Sequence, residues 1–315
     1  MFPSKRTLLL LAILGGALVV PFLMRSTFFF SLLIVVLLNI TFAQSWNIIG
    51  GYTGMISFGH MVFFGLGAYT SAMLLTYYGL SPFITAPLGG LISMLLAAIV
   101  GVTCVRIRGF YFAIVTSSLN EVVKLIVTIM PWTGGASGIV LPVLPFGPKT
   151  TAGIFYIAML VVTVATIATS YWITTIKFGM GLLAIREDED AAKATGVPTD
   201  KLKLFAIIIS AFFPGVAGAI YSYYMTYIDP GTVFNLALSF QAIMMTLLGG
   251  TGTITGPVLG ACLFTLTSEF LRFTVIYEGL HAIFFGVLLM VIVLFVPEGI
   301  VGWVRQQFDL ERVII

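Results

Sequence analysis

The stretch 178-FGMGLLAIREDEDAAKATGV-197 sets four acidic residues in a row, Glu187 to Asp190, directly behind Arg186, in a chain whose charged residues amount to 9% of the total. It belongs to the window Lys177 to Lys203, the one long polar segment of the sequence. The side of a membrane on which this window sits fixes the parity of the crossings before it, so its reading decides the fold. Outward from it, ten apolar segments can be drawn, at 8–24, 27–43, 58–78, 82–104, 110–130, 152–173, 204–226, 236–249, 254–272 and 281–303. A helix of about 20 apolar residues, at 1.5 Å of rise each, crosses the hydrocarbon layer. The segment 236–249 is short for this and runs into Gly249 and Gly250, as a half-helix that re-enters would.

Water is not the main solvent of such a chain: 315 residues combine 59% hydrophobic side chains with 33 glycines and a mean hydropathy of +1.12, outside the range of soluble domains. The apolar runs are continuous and do not alternate, which excludes an outer-membrane barrel. The expected fold class is therefore all-α, a polytopic transmembrane helical bundle of about ten spans. The run MFPSKRTLLLLAILGGALVV reads as a retained first span, since no small-residue cleavage pattern follows it.

Orientation follows from Lys and Arg in short loops. With Lys5 and Arg6 inside, ten crossings put Arg106, Arg108, Lys177, Arg186, Lys193, Lys201, Lys203, Arg305 and Arg312 on the cytoplasmic side, with both termini. Arg25, Lys149 and Arg272 fall outside or at the outer edge, and Lys124 falls within a span. Spans two to five and seven to ten then start from opposite sides, the arrangement of an inverted repeat. The external loop 131–150 carries four prolines and four glycines and is expected to be a stiff, turn-rich connection.

Several function classes are excluded. The net charge of +3 is scattered between apolar runs and forms no nucleic-acid patch. Cys104 and Cys262 sit in apolar runs, where packing is the expected role. His60 and His281 have no ligand-spaced companions, so no metal site is expected. No nucleophile motif marks a catalytic residue, and no phosphate-binding G-x-x-x-x-G-K-[ST] is present, so ATP, if used, is cradled by another polypeptide.

The in-span polar and small residues give the candidate sites. Glu121 and Lys124, beside Asn120, lie about 16 Å along their helix, where ionised groups face a bundle interior or water; they either hold two helices together or line a solute route. Pro214 leaves the carbonyl of Ser210 without its helical partner, a gap that the Ser210 side chain or a solute would fill. Gly54, Gly59, Gly215, Gly249, Gly250 and Gly256 mark close helix packing or broken helices. Glu269 and Arg272 read as an interfacial pair of little energetic weight. In the polar window, Leu182, Leu183 and Ile185 beside the charges suit a short amphipathic helix over 182–195 that docks a partner at the membrane surface, with Gly196 as its left-handed cap.

Six blocks in order carry a resemblance: 53-TGMISFGHMVFFGLGAYT-70, 108-RGFYFAIVTSSLNEVVKLI-126, 178-FGMGLLAIREDEDAAKATGV-197, 203-KLFAIIISAFFPGVAGAIY-221, 248-LGGTGTITGPVLGA-261 and 295-FVPEGIVG-302. Over roughly residues 40 to 303 the chain resembles the inner-membrane permease subunits of bacterial branched-chain amino acid ABC importers, of the second of their two permease types. The resemblance implies one transmembrane domain over 1–303, an inverted repeat as in type II ABC importer permeases, and a cytoplasmic tail from 304. It also implies a second homologous permease subunit, two cytoplasmic ATPase subunits that use ATP and Mg, and an external solute-binding protein. Ala184, Ile185, Arg186, Glu187, Asp188, Glu189, Asp190, Ala191 and Gly196 would form the coupling element seated in the ATPase. Family members commonly carry basic residues where this chain has Met180 and Leu183, and often alanine in place of Pro214, so the docking charges and the seventh span are expected to differ. The same scaffold serves other amino acids, urea or short amides; an ion-coupled secondary transporter is the alternative class.

Overall fold

The computed structural model describes residues 27–274, 286–287, 290 and 299–307. The expected first span 8–24, most of the last span 281–303 with His281, and the tail beyond 307 lie outside the described residues. The long helices are α1 (Thr27–Thr53), α2 (His60–Tyr78), α3 (Pro82–Cys104), α4 (Phe110–Ile129) and α5 (Pro148–Thr175). Two short helices follow, α6 (Lys177–Glu187) and α7 (Glu189–Ala194), then α8 (Thr199–Met225), α9 (Pro230–Val233), α10 (Leu236–Gly249), α11 (Thr255–Thr274) and α12 (Gly299–Gln307). Among the described residues seven segments are long and apolar enough to cross a membrane: α1 to α5, α8, and the run 230–249 that joins α9 to α10. The chain is an all-α, multi-pass bundle.

Expected and observed boundaries agree within a few residues except at α1, which runs ten residues past the expected 27–43. The polar run Gln44, Ser45 and Asn47 lies beyond the expected end at 43, yet all three side chains are fully buried. They are buried because α1 is central, packed against α5, α8, α10 and α11; Ser45 and Asn47 are hydrogen-bonded there, while both amide atoms of Gln44 lack a partner among the described residues. Thr41 Oγ1 lies 2.9 Å from Thr163 Oγ1 of α5, and Asn39 Nδ2 donates to Thr265 Oγ1 of α11 at 2.8 Å.

The second packing centre is α8 against α2 and α3. Lipid offers little hydrophobic drive between helices, so association comes from close backbone approach. On α3 the buried positions are small or polar, among them Gly89, Gly90, Ser93, Ala97 and Gly101, while Leu88, Leu91, Leu95 and Ile99 are exposed. A methyl group at Gly67 would overlap the Gly215 carbonyl, and one at Gly218 the Phe64 carbonyl.

Hydrogen bonds sort the connections into two ends. At one end Arg108, between α3 and α4, holds Asp190 through two bonds of 2.8 and 3.0 Å. Asn47 near the end of α1 bonds the α10–α11 turn, donating to the Thr253 carbonyl at 2.8 Å and accepting from Gly252 N at 2.9 Å. At the other end, β1 (Ile139–Val140) pairs antiparallel with β2 (Tyr227–Ile228), and Tyr77 Oη donates to the Trp132 carbonyl. The connection 131–147 is built of two single 3₁₀ turns and this ribbon, in keeping with its prolines and glycines. The basic group Arg106, Arg108, Lys177, Arg186, Lys193, Lys201 and Lys203 thus shares the first end, as alternate crossings require.

Two stretches of non-helical backbone enter the bundle from opposite ends. After Gly54, whose φ of +74° terminates α1, residues 54–59 turn back beside it. The Ser57 carbonyl accepts from Trp46 Nε1 at 2.8 Å, Phe58 N donates to Thr116 Oγ1 at 3.1 Å, and the Phe58 carbonyl accepts from Ser239 Oγ at 2.8 Å. From the other end, the segment at Phe234 reaches Asn120, whose Nδ2 donates to its carbonyl at 2.8 Å. Backbone polar groups at depth require such partners. The first stretch also packs on α10, where the Phe58 and Phe240 ring centroids are 4.7 Å apart. The 14 residues of α10 span about 21 Å, so this crossing is made by α9 and α10 in series, with Asp229 and Asn235 capping them.

Candidate functional site

Two places in the fold gather chemistry. The first is the polar segment between α5 and α8. Its apolar face is buried: Leu182 is fully inside and Ile185 nearly so. The expected single helix over 182–195 is two helices, because Asp188 leaves helical geometry at φ −157° and its carboxylate accepts from Asp190 N and Ala191 N, a new N-cap. Its end is as expected: Gly196 adopts φ +88°, and Val197 N and Gly196 N bond the carbonyls of Ala192 and Lys193, a Schellman closure.

Two residues of the acidic row, Glu189 and Asp190, pair with this chain's own cations. Glu189 Oε1 lies 2.8 Å from the buried Lys203 Nζ, 3.2 Å from Lys193 Nζ and 3.7 Å from Arg108 Nε. Partial burial pulls the Glu189 carboxyl upward, but bonds from Lys203 and Lys193 and the charge of Arg108 outweigh it, and its pKa lies below the ordinary value. The hydrogen bond and charge of Arg108 lower Asp190, while Asp190 raises Arg108. Glu187 is exposed and has no partner among the described residues.

Arg186, expected to face a partner protein, is exposed, but its guanidinium bonds back onto the bundle. Its Nη1 donates to the Gly51 carbonyl at 2.8 Å, one of the last four of α1, and Nη2 reaches Thr251 Oγ1 at 3.5 Å. Helix-terminal carbonyls lack intrahelical donors, and a guanidinium forks across two acceptors. Met180, Glu187, Asp188, Ala191, Ala194, Thr195 and Gly196 are exposed beside Arg186.

The second place is a cavity of about 790 Å³ between α1, α2, α8, α10 and α11, reaching the end that holds the β ribbon. Val35, Leu38, Phe42 and Met245 form its apolar wall, and Gln241, Ser268, Glu269 and Arg272 its polar side. Glu269 Oε1 and Arg272 Nη1 are 3.6 Å apart. None of these polar groups drew attention as a route in the sequence, although Thr265, Ser268, Glu269 and Arg272 recur at helical spacing and so share a face.

The expected path residues divide. Asn120 is fully buried beneath Phe234, with Oδ1 unpartnered. Glu121 and Lys124 are paired at 3.8 Å, but their side chains are 60% and 35% exposed, on the face of α4 turned away from the bundle. Ser210 is buried and donates to the Ile207 carbonyl, so it does not supply the partner missing beside Pro214. It lines a separate void of about 20 Å³ with His60 and Cys104, room for about one water; both His60 ring nitrogens lack partners there. A methyl group at Gly249 would overlap the Gly256 carbonyl, one at Gly256 would meet Gly250 and Thr253, and one at Gly59 would press on Thr116. Gly250 takes φ +123° at the end of α10. Among the described residues no group of three or more His, Cys, Asp or Glu gathers as metal ligands would.

A glycine-packed, multi-pass helical bundle with one broken crossing, an amphiphilic cavity toward one end and a polar segment at the other has the build of a membrane transport protein. The chain belongs to the family described as branched-chain amino acid transport system / permease component, whose sequence model matches residues 9–293. It is 28% identical to the high-affinity branched-chain amino acid transport system permease protein LivM of Salmonella typhimurium, over 98% of this chain and 77% of that one. A probable branched-chain amino acid transport permease protein LivM of Methanocaldococcus jannaschii is 26% identical over 82% of this chain and 88% of its own length. The autoinducer 2 import system permease protein LsrC of Yersinia pseudotuberculosis is 27% identical, over 52% and 47%. No solved structure matches the chain.

Proposed function

We propose that this chain is the LivM-type permease subunit of an ATP-driven importer for branched-chain or related amino acids, with ten spans in an inverted repeat, in the cytoplasmic membrane. It carries no catalytic residue in this reading; hydrolysis of ATP belongs to two partner ATPases, and an external binding protein delivers the solute. The segment α6–α7 is the coupling element, and its outward residues Glu187, Ala191, Ala194 and Thr195 enter the ATPase groove. One observation carries the reading. The segment is tied by Arg186 to the end of α1 and the α10–α11 turn, by Asp190 to Arg108 in the α3–α4 connection, and by Glu189 to Lys203 of α8, so a push on α6–α7 reaches several crossings at once. Arg186 therefore serves transmission in place of docking.

Reconstitution of the chain with its partner subunits tests this. Ala191→Arg, on the exposed face, is expected to abolish co-purification of the ATPases while leaving the bundle folded, and Arg186→Ala to keep the complex but sever ATP hydrolysis from uptake. Ion-driven uptake by the chain alone, with no ATPase bound, would instead assign it to the secondary transporters.

A further inference from the structure

We infer that the cavity between α1, α10 and α11 is a solute site within this single subunit, built for a zwitterionic α-amino acid with an apolar side chain, with Arg272 receiving the carboxylate and Glu269 the ammonium. The inference rests on the importer reading and adds a location and named ligands to it. The volume of about 790 Å³ lies in the range of small-molecule sites. Its lining has two chemistries on two sides. Phe42, Leu38 and Met245 offer an apolar surface; Glu269, Arg272 and Gln241 offer charge and an amide. A purely apolar solute would leave the charges desolvated, and a small ion would leave the apolar wall facing water. A zwitterion bearing a hydrocarbon side chain satisfies both.

Structural duty does not account for the polar side. An i,i+3 pair with Arg272 76% exposed and the two charges 3.6 Å apart adds little to stability. Gln241 and Ser268 have no side-chain partner among the described residues, although both line the cavity. Their positions on α10 and α11 place donors and acceptors beside the charged pair, and Asn39 bonded to Thr265 closes the adjoining wall. The site reaches the end opposite α6–α7, the end at which an imported solute arrives. A phosphatidylethanolamine headgroup carries the same two charges, so the lipid must be controlled.

The full chain in phosphatidylglycerol nanodiscs is titrated calorimetrically with leucine, with isoamylamine, which lacks the carboxylate, and with 4-methylpentanoate, which lacks the ammonium. Leucine is expected to saturate one site per chain, and each analogue to bind about tenfold or more weakly, one charged hydrogen bond being lost. In Arg272→Gln the gap between leucine and isoamylamine should close; in Glu269→Gln the gap to 4-methylpentanoate should close. Loss of fold would not produce this crossed pattern, and circular dichroism of each variant reads fold directly. Equal affinity for all three ligands, gaps unchanged in the variants, or no binding of leucine overturns the site. Leucine binding that vanishes when phosphatidylethanolamine is the bilayer lipid assigns the cavity to a headgroup and overturns it too. ATP-driven uptake by the assembled complex is scored separately, so the site can fail while the importer reading stands.

Discussion

Glu189 sits among Lys203, Lys193 and Arg108, and through Lys203 and Arg108 it ties the polar segment α6–α7 to the bundle. Removing one partner of a buried pair costs about 3–5 kcal/mol. Glu189 retains 17% exposure, so about 2 kcal/mol is the appropriate expectation for Lys203→Met. Amide exchange in detergent should show α7 opening more easily by that amount, with the long helices unchanged. The pH dependence follows from the same groups. The carboxyls of Glu189 and Asp190 are depressed in the folded chain, so their stabilisation is fully present above the unfolded value, roughly 4, and is lost as pH falls through the lower folded values. Protection of α7 is therefore expected to be flat from neutral pH down to about 5 and to decline below roughly 4. A decline already complete at pH 6 would show that a different group governs the segment.

At the scale of elements, the contact of α2 with α8 is set by absent side chains. A methyl at Gly218 meets the Phe64 carbonyl, whereas one at Gly147 meets nothing within 4 Å. Backbone yields less readily than a side chain end, so Gly218→Ala is expected to cost about 1–3 kcal/mol or more and Gly147→Ala almost nothing. Thermal unfolding of both variants in the same detergent checks the difference. The α10–α11 hairpin makes a second linkage. Its turn, 250–254, is held by Asn47 and touched by Arg186, while its far half lines the cavity. Arg186→Lys keeps the charge but loses the fork over Gly51 and Thr251. It should lower solute-stimulated ATP hydrolysis in the complex with less effect on the basal rate; equal loss of both would speak for docking in place of transmission.

For the molecule as a whole, the exposed Glu121–Lys124 pair on α4 is the clearest sign of a missing neighbour. Charges at mid-span are expensive against lipid, and the same face carries exposed Ser118. The proposed second permease covers it. Cysteine at Ser118 is expected to crosslink to that partner, and cysteine at Leu95, exposed on the apolar face of α3, is not. The opposite result would move the interface to α3.

The amino-acid sequence by itself determined the membrane class, the helices now seen as α1 to α5, α8, α10 and α11, the grouping of basic loops at one end and the cap at Gly196. Those features follow from composition, run length and local backbone chemistry, which a single segment carries whatever it packs against. Tertiary structure alone decided that the Arg186 guanidinium bonds back onto α1, that Glu121 faces outward, that Asn47 is buried in a lengthened α1, and that residues 57–58 bond α4 and α10 while the Phe234 carbonyl bonds Asn120. The reason is physical. In soluble proteins polarity separates the face that is buried from the face that is wet, but here both lipid and core are apolar, and on α3 the small residues pack inside while the large ones are exposed. Periodicity can then show that a helix has two faces; only contact with its neighbours says which one is in.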